Sequence, residues 1–172
     1  MKRNRKIQEI AHDVGYTDAS HFIVMFKKLT GMTPGNYRDV YELWQSCKGM
    51  GLNNLDDSEQ GINAFLERNP DTCFTAHEGD KLVGAILAGS DGRRGYIYHT
   101  AVNPQYRKRG IATALVDAVM DAMKNIGINK VALVVFRHNE SGNEFWEKLG
   151  FTERHDLVYR NKAINEMIRN DT

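Results

Sequence analysis

The chain has 172 residues, enough for one ordinary domain and a small appendage, and 41% of them are hydrophobic, a normal share for a protein that buries a core. Its two cysteines, Cys47 and Cys73, lie far apart without CxxC or Cys/His spacing, which argues against a disulfide framework or a metal site and fits a reducing, cytoplasmic setting; no apolar run nears the ~20 residues of a membrane span, and the basic start MKRNRKIQEI lacks the apolar core of a secretion signal. The net charge of +1 hides an asymmetry, because residues 1–38 carry +4 and the rest −3, so the head suits either a nucleic acid or an acidic face of the body.

In chain order, Ile7, Ile10, Ala11 and Val14 recur at helical spacing, and Gly15 ends that helix. Thr17 or Asp18 caps a second helix that carries Phe22, Phe26 and Leu29 as far as Gly31. Pro34 opens a third, with Tyr37, Val40, Tyr41 and Trp44 along it. Asp57 or Ser58 caps a fourth, with Ile62, Phe65 and Leu66 inward. The pattern then changes to strands. TCFTAHE (72–78), a Gly79-Asp80 turn and KLVGAILAG (81–89) read as a hairpin, SDGRRG (90–95) as a second turn, and YIYHTAV (96–102) as a third strand stopped by Pro104. Gly110 to Ile126 is a long helix with Ile111, Leu115, Val119, Met123 and Ile126 inward. KVALVVF (130–136) is apolar enough for a strand covered on both faces. A helix over 140–150 ends at Gly150, FTERHDLVYR (151–160) reads as a last strand, and a short polar helical tail follows.

The segment that carries chemistry is VNPQYRKRGIATAL (102–115). A strand runs into a short basic loop, and a helix opens at Gly110. The first N–H groups of a helix have no internal partners and sit at the positive end of its dipole, so such a start binds phosphate. Gly110 and Ala112 allow close approach, and Arg107, Lys108 and Arg109 add positive charge. Taken alone, R-x-x-G-x-A is better explained by a solvated basic turn before an ordinary helix.

Its context decides otherwise. Strand, R-x-x-G-x-A, helix, strand, then Asn139 and EKLGF (147–151) resembles the acetyl-CoA-dependent GNAT N-acetyltransferases over about residues 37–162. LWQSC (43–47) and SDGRRG resemble the YpeA-like branch of that superfamily. The resemblance implies an α/β (α+β) GNAT fold, a mixed central sheet splayed at the CoA site and flanked by helices. It implies acetyl-CoA as co-substrate, no metal, and an amine of a small molecule or peptide as acceptor. The CoA pyrophosphate would sit on backbone N–H groups of Lys108, Arg109, Gly110, Ile111, Ala112 and Thr113, and the pantetheine along Thr100, Ala101 and Val102. A backbone N–H near Val102 would polarise the thioester, and Asn139 would touch the pantetheine arm.

Two positions depart from the family. Where many relatives place a proton-donating Tyr, this chain has Trp146, and where some place a Glu base it has Val134. The next catalytic candidates are Tyr98 and His99, set against the reading in which strand alternation sends one into the core and the other under a helix, and solvent takes the proton. On the acceptor side, Trp44, Asp91, Arg93 and Arg94 are candidates, the arginines suiting a carboxylate-bearing amine; surface charge on a hairpin turn is the plainer reading of the last three.

Residues 6–38 resemble the second helix-turn-helix of AraC-type transcription regulators, through Ile10, Ala11, Val14, Gly15, Ser20, Phe22, Phe26, Gly31, Pro34 and Tyr37 among others. This divides the chain into a partial helix-turn-helix extension (1–36) and a GNAT domain (37–172), with DNA as a partner the head could bring. Ile23 and Val24, however, stand where relatives carry small polar and basic residues, and apolar groups read no base edge. The competing role for the head is packing or dimerisation, which would pair two copies as a homodimer. Residues 21–30 also contain the only segment that could be the first strand of the fold; the capping and Gly/Pro signals favour helix.

Overall fold

The structure, a computed structural model, describes residues 24–29 and 34–170. The helix over 6–13 and the side chains of Ile23 and Val24 lie outside what it describes. The elements in order are β1 (Val24–Lys28), α1 (Pro34–Gln45), α2 (Glu59–Arg68), β2 (Phe74–Glu78), β3 (Lys81–Ser90), β4 (Gly95–Val102), α3 (Ile111–Asn125), β5 (Val131–Leu133) and α4 (Glu140–Lys148).

Residues 24–28 are a strand, where the capping signals pointed to a helix. β1 pairs antiparallel with β2, Val24 opposite Glu78 and Lys28 opposite Phe74, and Leu29 N donates to Cys73 O at 2.9 Å. A segment rich in branched and aromatic residues meets an open sheet edge, and the ladder pairs it with β2 along its whole length. The sheet thus reaches back across the seam drawn at residue 36.

The sheet order is β1-β2-β3-β4-β5, antiparallel through β4, with β5 parallel to β4. Each face buries one apolar layer. On one side α3 packs Ile111, Leu115, Val119 and Met123 against Val83, Ile86 and Ile97, joined by Trp146 of α4. On the other, α1 and α2 pack Val40, Trp44, Ile62 and Leu66 against Ala85, Leu87 and Ala101. These are the inward residues expected from helical spacing, except that Ile126 caps α3 and is exposed.

The C-terminal third differs from expectation. β5 spans three residues, and Ala132 and Val134 are exposed, so this strand is not covered on both faces. Residues 151–160 form no strand and 161–170 no helix. Arg154 instead grips Asp156 with two bonds of 2.7 and 2.6 Å, a local pair that holds a turn and pulls the Asp156 carboxyl down to about 2. The chain returns at a single bridge, Asn53 with Arg169. Among the described residues no helix is long and apolar enough to cross a membrane.

Candidate active site

β4 and β5 run side by side only where Gly95–Ile97 face Val131–Leu133. Beyond that the chains part, and a cleft of about 1450 Å³ opens between Tyr98–Val102 and Val134–Phe136. Past Ile97, β4 has no strand partner on this side among the described residues, so an extended ligand can lie where a strand would. The loop 49–51 comes close to the far wall: a Cβ on Gly51 would stand 3.4 Å from the Phe136 ring, and one on Gly49 3.7 Å from the Asn139 amide.

One end of the cleft is built from backbone. Asn103 starts a short 3-10 turn by accepting from Gln105 N at 3.0 Å. Lys108 (φ 60°) and Gly110 (φ 76°) are then left-handed, with Arg109 between them in the ordinary region. Lys108 is the one non-glycine residue with positive φ among the described residues, a conformation that costs about 1–2 kcal/mol. Such alternation curls successive N–H groups toward one point, a nest for an anion. It runs directly into α3, whose N-cap Gly110 brings no side-chain cap. The N–H groups of Ile111, Ala112 and Thr113 therefore face outward at the positive end of a 15-residue helix. Gly110, Ile111, Ala112, Thr113 and Lys108 all line the cleft.

The neighbouring arginines do other work. Arg107 Nε donates to Val102 O at 3.2 Å, and its Nη2 lies 3.6 Å from Cys47 Sγ, so this side chain braces the end of β4. The Arg109 side chain corrects the expectation of a cofactor contact. It stacks over Tyr106 at 5.0 Å, lies 3.8 Å from Glu78, and does not line the cleft. Thr100, Ala101 and Val102 do line it, as does Asn139, whose Oδ1 accepts from Gly142 N at 3.1 Å and caps α4. Part of the Asn139 amide is thus committed to its own helix.

The other end is built from side chains. On β3, Leu87 faces His99 and Ala88 faces Ile97, so Tyr98 is an extra residue, a β-bulge. The bulge cancels the alternation expected of neighbours on a strand. Both Tyr98 and His99 turn to the α1–α2 face, His99 against Trp44 (ring centroids 5.0 Å) and Tyr98 edge-on to Phe65 (5.2 Å). His99 Nε2 lies 2.6 Å from Asp57 Oδ1, and Asp57 is 4% exposed. Asp57 Oδ2 accepts from Asn53 N at 2.7 Å, and the Tyr37 hydroxyl donates to Asp57 O at 2.7 Å. Both candidate caps of α2 are therefore used: Ser58 takes the cap, accepting from Gly61 N, and Asp57 is left for His99.

Three buried side-chain atoms have no hydrogen-bond partner among the described residues: Trp44 Nε1, His99 Nδ1 and Thr100 Oγ1. Buried polar atoms are nearly always satisfied. His99 and Thr100 line the cleft, so these two mark the place where the fold leaves polar groups for a ligand, while Trp44 is buried behind His99. With Nε2–H given to the carboxylate, His99 keeps an unshared pair on Nδ1, the arrangement in which an acid orients a base.

Four acceptor-side candidates need correction. Trp44 is 0% exposed and acts as the wall behind His99, not as a ligand contact. Asp91 Oδ1 accepts from the backbone N–H of Arg94 (2.7 Å) and Arg93 (2.8 Å), bonds that hold its carboxyl below the usual range and tie the turn. Asp91, Arg93 and Arg94 do not line the cleft. Val134 and Trp146 do, and neither supplies an acid or base there. Sequence reasoning missed Asp57, read only as a helix cap, which holds His99 from outside the cleft, and Cys47, Tyr96 and Tyr159, which line it. The sole signal for Asp57 was a second cap-type residue beside Ser58.

The Acetyltransferase (GNAT) family model matches residues 37–151, and a helix-turn-helix domain model matches residues 1–39, a span that includes the paired strand β1. An acetyltransferase of Sodalis glossinidius is 31% identical over 131 residues, 76% of this chain and 91% of that protein. One of Photorhabdus laumondii is 34% identical over 131 residues, 75% and 90% of the two. Among solved structures, the ribosomal-protein-S18-alanine N-acetyltransferase of Escherichia coli superimposes with a TM-score of 0.62 at 19% identity, over 77% of this chain and 79% of that one. AAC(6')-Iy, in complex with the bisubstrate analog CoA-S-monomethyl-acetylneamine, does so with a TM-score of 0.64 at 19% identity, over 83% and 99%. The motif, the splayed sheet and these relatives agree: the chain belongs to the GNAT family and is an acetyl-CoA-dependent N-acetyltransferase.

Proposed function

We propose that the protein transfers acetyl from acetyl-CoA to the primary amine of a small molecule or peptide by direct attack, with no acetylated enzyme. The observation that carries this reading is that an anion-binding backbone nest and His99, held from behind by the buried Asp57, line one cleft. The N–H groups of residues 108–113 hold the pyrophosphate, and Lys108 adds charge beside it. Thr100, Ala101 and Val102 align the pantetheine as an added strand, and Asn139 flanks it. His99 Nδ1 takes the proton that the acceptor ammonium must lose, and Asp57 holds the imidazole in the tautomer that can take it. The amine nitrogen then forms its bond to the thioester carbon as the carbon–sulfur bond breaks, and the second proton it sheds in becoming an amide passes to solvent. Tyr98 gives its proton to the departing thiolate and recovers one from solvent.

The test is a screen of amines with acetyl-CoA, read by release of free thiol. Tyr98→Phe should lower kcat while leaving acetyl-CoA affinity in place, and an unchanged kcat removes Tyr98 as the proton donor. The alternative is a DNA-binding regulator that uses the acyl-CoA site as a sensor, which the helix-turn-helix match favours. It predicts salt-dependent DNA retention by the full chain. The pairing of Val24–Lys28 into the sheet weighs against it, since those residues would be the recognition helix.

A further inference from the structure

The acceptor end of the cleft differs in chemistry from the phosphate end. The Lys, Arg and Glu side chains lining the cleft are Lys48, Arg107, Lys108 and Glu140, and its two histidines are His99 and His138. Arg107 and Lys108 belong to the phosphate loop, Lys48 adjoins the Cys47 that Arg107 touches, and His138 and Glu140 flank Asn139. None comes from Gly95–Tyr98 or from residues 157–159. There the lining is Ile97 and three tyrosines, Tyr96, Tyr98 and Tyr159.

These rings form one group. Tyr96 and Tyr98 have centroids 4.8 Å apart at 47°, and Phe65 closes on Tyr98 edge-on. Tyr98 is 55% and Tyr159 68% exposed, so their faces are open to a ligand. Burial, and then Tyr159 and Tyr98 beside it, push the Tyr96 phenol up, so the ring stays neutral through the working range of pH. The cations nearest in sequence, Arg93, Arg94 and Arg160, do not line the cleft, and the Asp91 carboxylate is spent on its own turn.

We infer that this end takes a primary amine carried on an aromatic or alkyl body, without a carboxylate or phosphate beside the amine. The inference rests on the acetyl-transfer reading above and names the acceptor class of that same site. Tyrosine faces attract an ammonium and stack on an apolar body. A carboxylate set among them would lose its water and gain no cation in return, which is costly. Tyr96 and Tyr98 hold the acceptor body, and His99, on the same face of the sheet, receives the ammonium proton.

The experiment compares 2-phenylethylamine with phenylalanine, which differ by one carboxylate, on the full chain with saturating acetyl-CoA. The inference expects kcat/KM at least about 100-fold higher for 2-phenylethylamine, as for a charge desolvated without a partner. It also expects Tyr96→Ala to raise the KM for 2-phenylethylamine about tenfold, and Tyr96→Phe to recover most of that loss, since the ring face rather than the hydroxyl does the binding. Equal or better use of phenylalanine overturns it, and so does an unchanged KM in Tyr96→Ala. Calorimetry with acetyl-CoA on the same samples separates the two levels. If acetyl-CoA binds but neither amine is acetylated, the acceptor class is wrong while the cofactor reading stands. If acetyl-CoA does not bind, the acetyl-transfer reading fails and this one falls with it.

Discussion

The two ends of the cleft are made differently. The end proposed to hold phosphate is one continuous stretch, residues 107–113, and would work through main-chain N–H groups set by two left-handed residues and an uncapped helix start. The acceptor end is assembled from four separate segments: Trp44 on α1, Asp57 before α2, Tyr96 to His99 on β4, and Tyr159 near the C-terminus. Backbone recognition is local and tolerates side-chain change. Side-chain recognition is non-local, so one fold can keep its cofactor and change its acceptor.

The sharpest way to strain that division is to cut into the acceptor end alone. Trp44→Ala removes a fully buried ring from between the sheet and α1 and should cost about 3–5 kcal/mol in urea unfolding. The folded fraction should still bind acetyl-CoA, since the Trp44 ring packs against His99 and residues 107–113 are a separate stretch of backbone. Full loss of acetyl-CoA affinity in folded protein would show that the two ends are one unit.

His99→Gln should lower kcat about 100-fold, the usual contribution of a positioned base, with acetyl-CoA affinity kept. Asp57→Asn should fall in the same direction by a smaller factor, because the imidazole remains but its tautomer is no longer held. A kcat for His99→Gln within about twofold of the native protein would hand the proton to solvent, against the roughly 100-fold expected of a base.

Asn139→Ala probes the junction. It should cost about 1 kcal/mol of stability, the value of a lost helix cap, and weaken acetyl-CoA binding modestly. The cysteines report the cleft without any mutation. Cys47 lines it, while Cys73 is fully buried and its thiol is pushed up to about 11, chiefly by that burial. Acetyl-CoA should slow alkylation at Cys47, and Cys73 should react more slowly than Cys47 throughout. Peptide mass spectrometry follows both, and faster labelling at Cys73 would contradict the packing described.

This contrast also explains what could be read from the sequence. The hairpin, α3 and the basic loop are local patterns, and Gly79-Asp80, Pro104 and Gly110 punctuate them where they stand. The pair of Asp57 with His99 spans 42 residues and has no local signature. The bulge at Tyr98 depends on how β4 registers against β3, which alternation within β4 alone cannot reveal. Val24–Lys28 carries real helix-boundary signals in its flanks, and the open edge of β2 outweighs them. Residues 151–160 have the composition of a strand, yet they join no ladder, and the exposed Arg154–Asp156 pair spans a turn at their middle.

The central claim is that backbone N–H groups at 108–113 hold the cofactor's pyrophosphate. Calorimetric titration of acetyl-CoA into the native chain and into Gly110→Asp tests it most directly. That substitution puts a carboxylate at the anion site and a side chain on a left-handed residue. The native chain should bind with a Kd in the ~1 μM to 1 mM range usual for enzyme substrates, and the variant at least about tenfold more weakly. No binding by the native chain at millimolar acetyl-CoA, or equal affinity in the folded variant, would contradict the account.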